Sequence, residues 1–286
     1  PGDLRNCLVA LSDGEPLMAR LLQYRFEEAE LDGHSFGNLF ITALTRVTGS
    51  FDTAVRELNR LLEVRGRVLP ATGHKVSLIA THTDGTKSTG EVQVSASEKP
   101  IRSVELRPRV GRAEPDVLEA IEEAELLLFG PGSLFTSVIP NLLVPGIAEA
   151  VRANPAPKIY VANIMTQPGE TDGLDLEGHL DALEAHAGGR FLTGVVLHRG
   201  EIPAAVRRQY GDLGSSPVVG DEDELLERGL TIAEGDLIDG ERSRSGRAAI
   251  RHHPDRLAQC IADHFLIPAG DRERVEAPTS LPENEL

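Results

Sequence analysis

The sequence predicts an α/β fold: a mostly parallel sheet flanked by helices, with a small β-rich insert at 66–108. Three observations carry this. From Glu114 onward, short apolar runs alternate with amphipathic stretches, the pattern of parallel strands joined by right-handed helical crossovers. Within 66–108 the apolar residues instead recur at every second position, which is strand periodicity. The runs 126–129 and 159–162 read as buried strands, and each ends in a loop rich in Gly, Ser, Thr and Asn. Such loops bring free N–H groups and hydroxyls to the carboxyl edge of a sheet, where α/β proteins bind ligands.

Taken in order, 4–22 is helical, with apolar residues at 4, 8, 11, 17, 18, 21 and 22 and a break near 14–16. Two more helices, 35–48 and 51–64, are divided by Gly49-Ser50, and Asp52 is the expected N-cap of the second. Segments 75–80, 86–94 and 101–106 alternate as strands, the first two joined by a hairpin turn at Thr83-Asp84-Gly85-Thr86. Residues 114–125 form an amphipathic helix with Val117, Leu118, Ile121 and Ala124 on one face. After the strand 126–129, residues 133–153 hold helical turns interrupted by Pro140 and Pro145. Strand 159–162, helix 176–187, strand 195–198 and helix 203–210 follow, then short strands at 217–219 and 231–233. The last helix, 255–266, starts after Pro254 and carries a stripe of Leu257, Cys260, Ile261, His264 and Phe265. One domain over 1–266 is expected, followed by a flexible polar tail, 267–286, with three prolines. Because Pro1-Gly2-Asp3 runs straight into a helix, the first strand or two of the sheet are expected to precede this chain.

The chain has 286 residues, enough for one large α/β core, and a formal charge of −16. That charge argues against binding nucleic acid or an anionic membrane, though a local group of donors can still hold a small anion. No apolar run reaches the roughly 18 residues of a membrane span. The two cysteines, Cys7 and Cys260, read as buried thiols of a cytoplasmic protein.

Several motifs carry chemistry, each beside a plainer alternative. In Gly130-Pro131-Gly132-Ser133, the hydroxyls of Ser133, Thr136 and Ser137 either cap the next helix or donate to a phosphate. Asn163, followed by Thr166, Gln167 and Glu170, offers a donor and an acceptor to a base or sugar, or else belongs to a turn that holds itself together by Asx hydrogen bonds. Glu170 and Asp172 give only a weak metal signal. The segment 34–38 resembles a further anion site at a helix start, with Arg5 and Asn6 pointing to the same crevice. Arg67 reads as one half of a structural ion pair, and Arg251 either meets an anionic ligand or forms a surface salt bridge. The nine histidines show no metal-binding spacing. Neither a nucleophile elbow nor a Walker loop occurs.

Together these loops resemble the bacterial gluconeogenesis-factor family (YvcK-type), within the wider fold family of 2-phospho-L-lactate transferase (CofD-like). The resemblance rests on segments 1–8, 33–39, 64–72, 130–146, 163–173 and 250–255. It implies a Rossmann-like core and cytosolic proteins that bind UDP-sugars such as UDP-N-acetylglucosamine and support cell shape and wall synthesis during gluconeogenic growth. On that pattern Ser133 and Thr136 help a Gly-rich loop hold phosphates, Asn163 and Thr166 address the base or ribose, and Arg251 meets the pyrophosphate or sugar. Asn6 and Asn38 line the cavity floor. The family's Gly-rich loop and an acidic segment would precede Pro1, and His198-Arg199-Gly200 stands where Asn-Asn-Gly is expected. The transferase branch implies instead an enzyme that moves a phospholactyl group to a deazaflavin with a divalent metal. Wall-synthesis partners are expected in the binding-protein branch, and apolar helices near 36–64 offer a homodimer face.

Overall fold

The computed structural model describes residues 2–12, 16–27, 31–109, 111–239 and 250–266, so the expected tail at 267–286 lies outside the described residues. Four helices come first: α1 (Gly2–Ala10), α2 (Pro16–Gln23), α3 (Phe36–Thr48) and α4 (Phe51–Leu61). They close over a core of their own, built from Leu8, Leu22, Ile41, Leu58, Leu62 and Val68. Gly49, at φ 75°, ends α3, and the α4 cap is Ser50, whose side chain accepts from the Thr53 amide. Asp52 is therefore not the cap. It sits inside the first turn and pairs with Arg56 at 3.0 Å, a position where a carboxylate also favours the helix dipole.

The insert forms an antiparallel sheet in the order β2-β1-β3, from β1 (Ser77–His82), β2 (Lys87–Thr89) and β3 (Ile101–Arg107). Its hairpin turn is held by Asp84, whose Oδ1 accepts from the Thr86 amide at 2.9 Å. The expected strand 86–94 stops at Thr89. Gly90, at φ 89°, turns the chain out of the ladder, and α5 (Glu91–Ser95) follows, burying Val94 and exposing Val92. A two-residue apolar spacing fits a strand equally well, which is why the sequence reads as one. Leu78, Ala80, Val94, Ile101 and Val104 share one continuous core with the main sheet, so the insert has no separate interior.

The main sheet is parallel throughout, in the order β4-β5-β6-β7: β4 (Leu127–Phe129), β5 (Lys158–Val161), β6 (Gly194–His198) and β7 (Thr231–Gly235). Every residue of β5 is buried, as expected for a strand covered on both faces. β4 departs from the expected buried strand. It pairs with β5 alone among the described residues, and Leu128 is 46% exposed. Helix α6 (Pro115–Glu122) precedes β4. After it a π-helical turn (Leu134–Val138) leads into α7 (Ile139–Leu142) and α8 (Ile147–Ala153). Pro140 lies in the first turn of α7, where its missing N–H costs nothing, so it starts a helix rather than breaking one. Helices α9 (Leu176–Ala187), α10 (Ala204–Gly211) and α11 (Glu222–Glu227) connect the later strands. The expected strand at 217–219 is reduced to a single bridge between Met165 and Pro217. A two-stranded ribbon, β8 (Ile238–Asp239) with β9 (Arg251–His252), leads into α12 (Pro254–Ile261) and a final π turn (Ala262–Leu266).

Candidate functional site

Parallel register aligns Phe129 with Tyr160, so the chain leaves β4 and β5 at the same edge of the sheet. The two exits are in contact. Gly130 adopts φ 90°, and a Cβ there would stand 2.9 Å from the Val161 carbonyl, so only glycine fits this turn. Beyond it, the Ser133 hydroxyl donates to Gln167 Oε1 at 2.7 Å. Glu170 Oε1 accepts the amides of Phe135 at 2.7 Å and Thr136 at 3.1 Å. The loop after β5 thus places its own carboxylate at the start of the helical turn after β4. Burial pushes the Glu170 carboxyl above its ordinary range, while the two amides act in the opposite sense. Behind it, Tyr160 is fully buried and lies 3.0 Å from His179 Nδ1. Burial, with the Glu170 charge as a lesser contributor, raises the tyrosine's pKa, and burial lowers that of His179 to about 4.

A cavity of about 650 Å³ opens at this edge, and among its walls are Ser133, Asn163, Thr166, Gln167, Tyr210 and Arg251. Strand β9 carries Arg251 to it from far along the chain. Tyr210 fixes the start of that strand, because its hydroxyl oxygen accepts the Ile250 amide at 2.9 Å. Arg251 is exposed and takes part in no salt bridge among the described residues. Thr166 is buried, and its hydroxyl oxygen accepts the Ser216 amide at 2.9 Å. The adjacent residues His252 and His253 diverge as side chains. His252 lines the cavity, and His253 caps α12 by accepting from the Arg256 amide.

Ser133, Asn163, Thr166 and Arg251, expected to share a site, all reach this cavity. The structure does not bring the other three there. Both the amide and the hydroxyl of Thr136 turn to Glu170, with the hydroxyl 3.5 Å from each carboxylate oxygen. A phosphate therefore finds those amides already neutralised by an internal anion. Asn6 lines a neighbouring, largely apolar cavity of about 670 Å³ along β4, which shares Gly132 and Ser137 with the first. Asn38 faces Arg5, whose Nη1 donates to it at 3.4 Å and to Ser35 Oγ at 2.8 Å. The expected anion site at 34–38 thus holds a cation, and Arg5 packs so closely that a Cβ on Gly37 would lie 2.7 Å from its Cδ.

Glu170 and Asp172 do not converge on a metal. The first faces inward, and Asp172 Oδ2 accepts the Gly169 amide at 2.6 Å. No group of three or more His, Cys, Asp or Glu side chains is arranged to hold a metal among the described residues. Cys7 is exposed rather than buried, while Cys260 is buried, and neither forms a disulfide. Arg67 is exposed and forms no ion pair among the described residues. No single helix there is long and apolar enough to cross a membrane. Tyr210 belongs to no sequence motif, and only the fold brings its helix beside β9.

These features define a class: a parallel-sheet α/β protein with a polar, cationic cavity at the carboxyl edge of its strands. Comparison with known proteins sharpens it. Residues 1–238 match the family model of 2-phospho-L-lactate transferase CofD. The chain is 40% identical over 265 residues to the gluconeogenesis factor of Halalkalibacterium halodurans, covering 92% of this chain and 80% of that protein. It is also 40% identical over 264 residues to the gluconeogenesis factor of Bacillus subtilis, covering 92% and 82% respectively. A crystal structure of a UPF0052-family protein from Bacillus halodurans superposes with a TM-score of 0.85 at 39% identity, over 91% of this chain and 83% of that one. The chain belongs to the CofD family and, within it, to the gluconeogenesis factors of the YvcK type.

Proposed function

We propose that the cavity between the loops after β4 and β5 binds a UDP-sugar such as UDP-N-acetylglucosamine. In this reading the protein is a cytoplasmic binding and regulatory protein, acting in cell shape and wall synthesis under gluconeogenic growth and, through partners, on the wall-synthesis machinery. One observation carries the reading: Arg251, without an acidic partner among the described residues, lines the same cavity as Asn163 and Gln167, whose side chains carry amide donors. An unpaired guanidinium beside neutral donors suits a diphosphate, and an amide suits a base or a sugar hydroxyl. A volume of about 650 Å³ lies in the range of small-molecule sites.

Calorimetric titration of the protein with UDP-N-acetylglucosamine tests this. Asn163→Ala is expected to weaken binding by about 1–3 kcal/mol, the cost of a lost buried polar partner. Arg251→Ala is expected to weaken it at least as much. Unchanged affinity in both variants would remove this cavity from the function.

The match to the transferase model favours a second reading, transfer of a phospholactyl group to a deazaflavin. It requires carboxylates converging on a divalent metal, an arrangement absent among the described residues. Product formation from GTP-activated phospholactate and a deazaflavin acceptor would replace the first reading by this one.

A further inference from the structure

We infer that Gln167 is the residue that donates a hydrogen bond to the phosphate oxygens of the ligand, and that Ser133 acts through it as a positioning residue. The inference rests on the nucleotide-sugar reading and deepens it. Ser133 is the residue that a Gly-Pro-Gly-Ser loop suggests as the phosphate contact. Its hydroxyl lies 2.7 Å from Gln167 Oε1, however, and donates there. A serine has a single proton to give, so in this arrangement only its lone pairs remain, and these repel an anion.

Gln167 is held at every other polar atom. Its amide donates to Thr171 Oγ1 at 2.8 Å. Its carbonyl accepts the amides of Glu170 at 3.0 Å and Thr171 at 2.9 Å. With Oε1 taken by Ser133, the carboxamide plane is fixed from the far end as well. What remains is Nε2, which has no protein partner among the described residues, on a residue that lines the cavity with Asn163 and Arg251. Two N–H bonds held in place in a cavity that Arg251 also lines form a preorganised donor group, the arrangement that recognises an anionic oxygen with little loss of side-chain freedom on binding. The nearby anion, Glu170, is 3% exposed, faces inward and is satisfied by the Phe135 and Thr136 amides, so it does not compete for these donors.

The test uses Gln167→Glu, which keeps an acceptor for Ser133 but turns the cavity-facing donor into an anion. By calorimetry with UDP-N-acetylglucosamine, Gln167→Glu is expected to lose about 100-fold in affinity, with an unchanged melting temperature. Ser133→Ala is expected to lose about 5-fold in the native background and nothing further in a Gln167→Met background, because its contribution passes through the carboxamide. Uridine, which lacks phosphates, should bind Gln167→Glu and the unaltered protein alike. An unaltered protein that does not bind UDP-N-acetylglucosamine overturns the nucleotide-sugar reading and this inference with it. Binding that Arg251→Ala weakens but Gln167→Glu does not would leave that reading standing and overturn the role of Gln167. An equal penalty on uridine would assign the amide to the nucleoside and overturn the phosphate contact. Additive losses from Ser133→Ala and Gln167→Met would show that Ser133 acts independently.

Discussion

The carboxylate of Glu170 accepts the backbone amide of Phe135 at 2.7 Å, across 35 positions of sequence, and so joins the loop after β5 to the helical turn after β4. The site edge is thereby fixed from inside the protein. Glu170→Ala leaves the Phe135 and Thr136 amides without acceptors in a buried setting. It is expected to destabilise the fold by about 2–4 kcal/mol, read by urea denaturation. Glu170→Gln retains one acceptor oxygen and removes a buried charge, so it should cost less than half of that. Equal losses in the two variants would show that charge, and not acceptance of the amides, is what the position supplies.

Gly169 stands where the site loop meets the insert. It adopts φ 77°, and a Cβ there would lie 1.9 Å from the Ser97 carbonyl oxygen. Gly169→Ala combines a strained backbone with a direct clash against main chain, and a loss of about 2–4 kcal/mol in stability is expected. A melting temperature unchanged by this substitution would mean that the insert does not rest on the loop as described.

Much of this framework was legible in the sequence, because its signals are local. The sequence marks helix 176–187 with the bounds it has, since Asp175 caps it and Gly188 ends it in a left-handed conformation. The strands before both site loops were apparent from short apolar runs. What could not be read depends on distance. Thr136 looks like a phosphate ligand until Glu170, 34 positions away, takes its amide. Asn38 looks free until Arg5 reaches it from another helix. Ser50 and Asp52 are both capable caps, and only the backbone's entry into α4 decides between them.

Four histidines, His179 buried and the others partly buried, hold their pKa values low, with desolvation the leading cause in each: His179 (to about 4), His186, His198 and His252. In the unfolded chain each titrates near 6.5. Between the lowered folded values and about 6.5 the unfolded state binds more protons, so stability rises with pH through that window and is complete above it. Glu170, raised by burial, has the opposite sign from about 4.5 upward and is outnumbered. Denaturation midpoints are therefore expected to fall as pH is lowered from about 7 to about 5, with His179 alone worth roughly 3 kcal/mol at the acid limit. A midpoint constant across that range would contradict the burial described for these rings.

His186 supplies the sharpest local case. Its Nε2 accepts the Val104 amide at 3.0 Å while Nδ1 lies 2.6 Å from the Ala182 carbonyl, so the neutral ring bridges α9 to the insert. Protonation turns the acceptor into a donor facing another donor. Protection of the Val104 amide from hydrogen exchange, measured against its intrinsic rate, should fall by more than global stability does as pH drops through and below the ordinary histidine range. Exchange that follows global unfolding alone would remove the ring from this role.

The central claim is that the loops leaving Phe129 and Ala162 hold a diphosphate together with Arg251. A crystal structure of the protein grown with UDP-N-acetylglucosamine tests it most directly. Phosphate density within hydrogen-bonding reach of the Arg251 guanidinium and Gln167 Nε2 is the result expected. A fully occupied nucleotide found elsewhere, for example in the apolar cavity beside β4, with Arg251 and Gln167 untouched, would contradict the account.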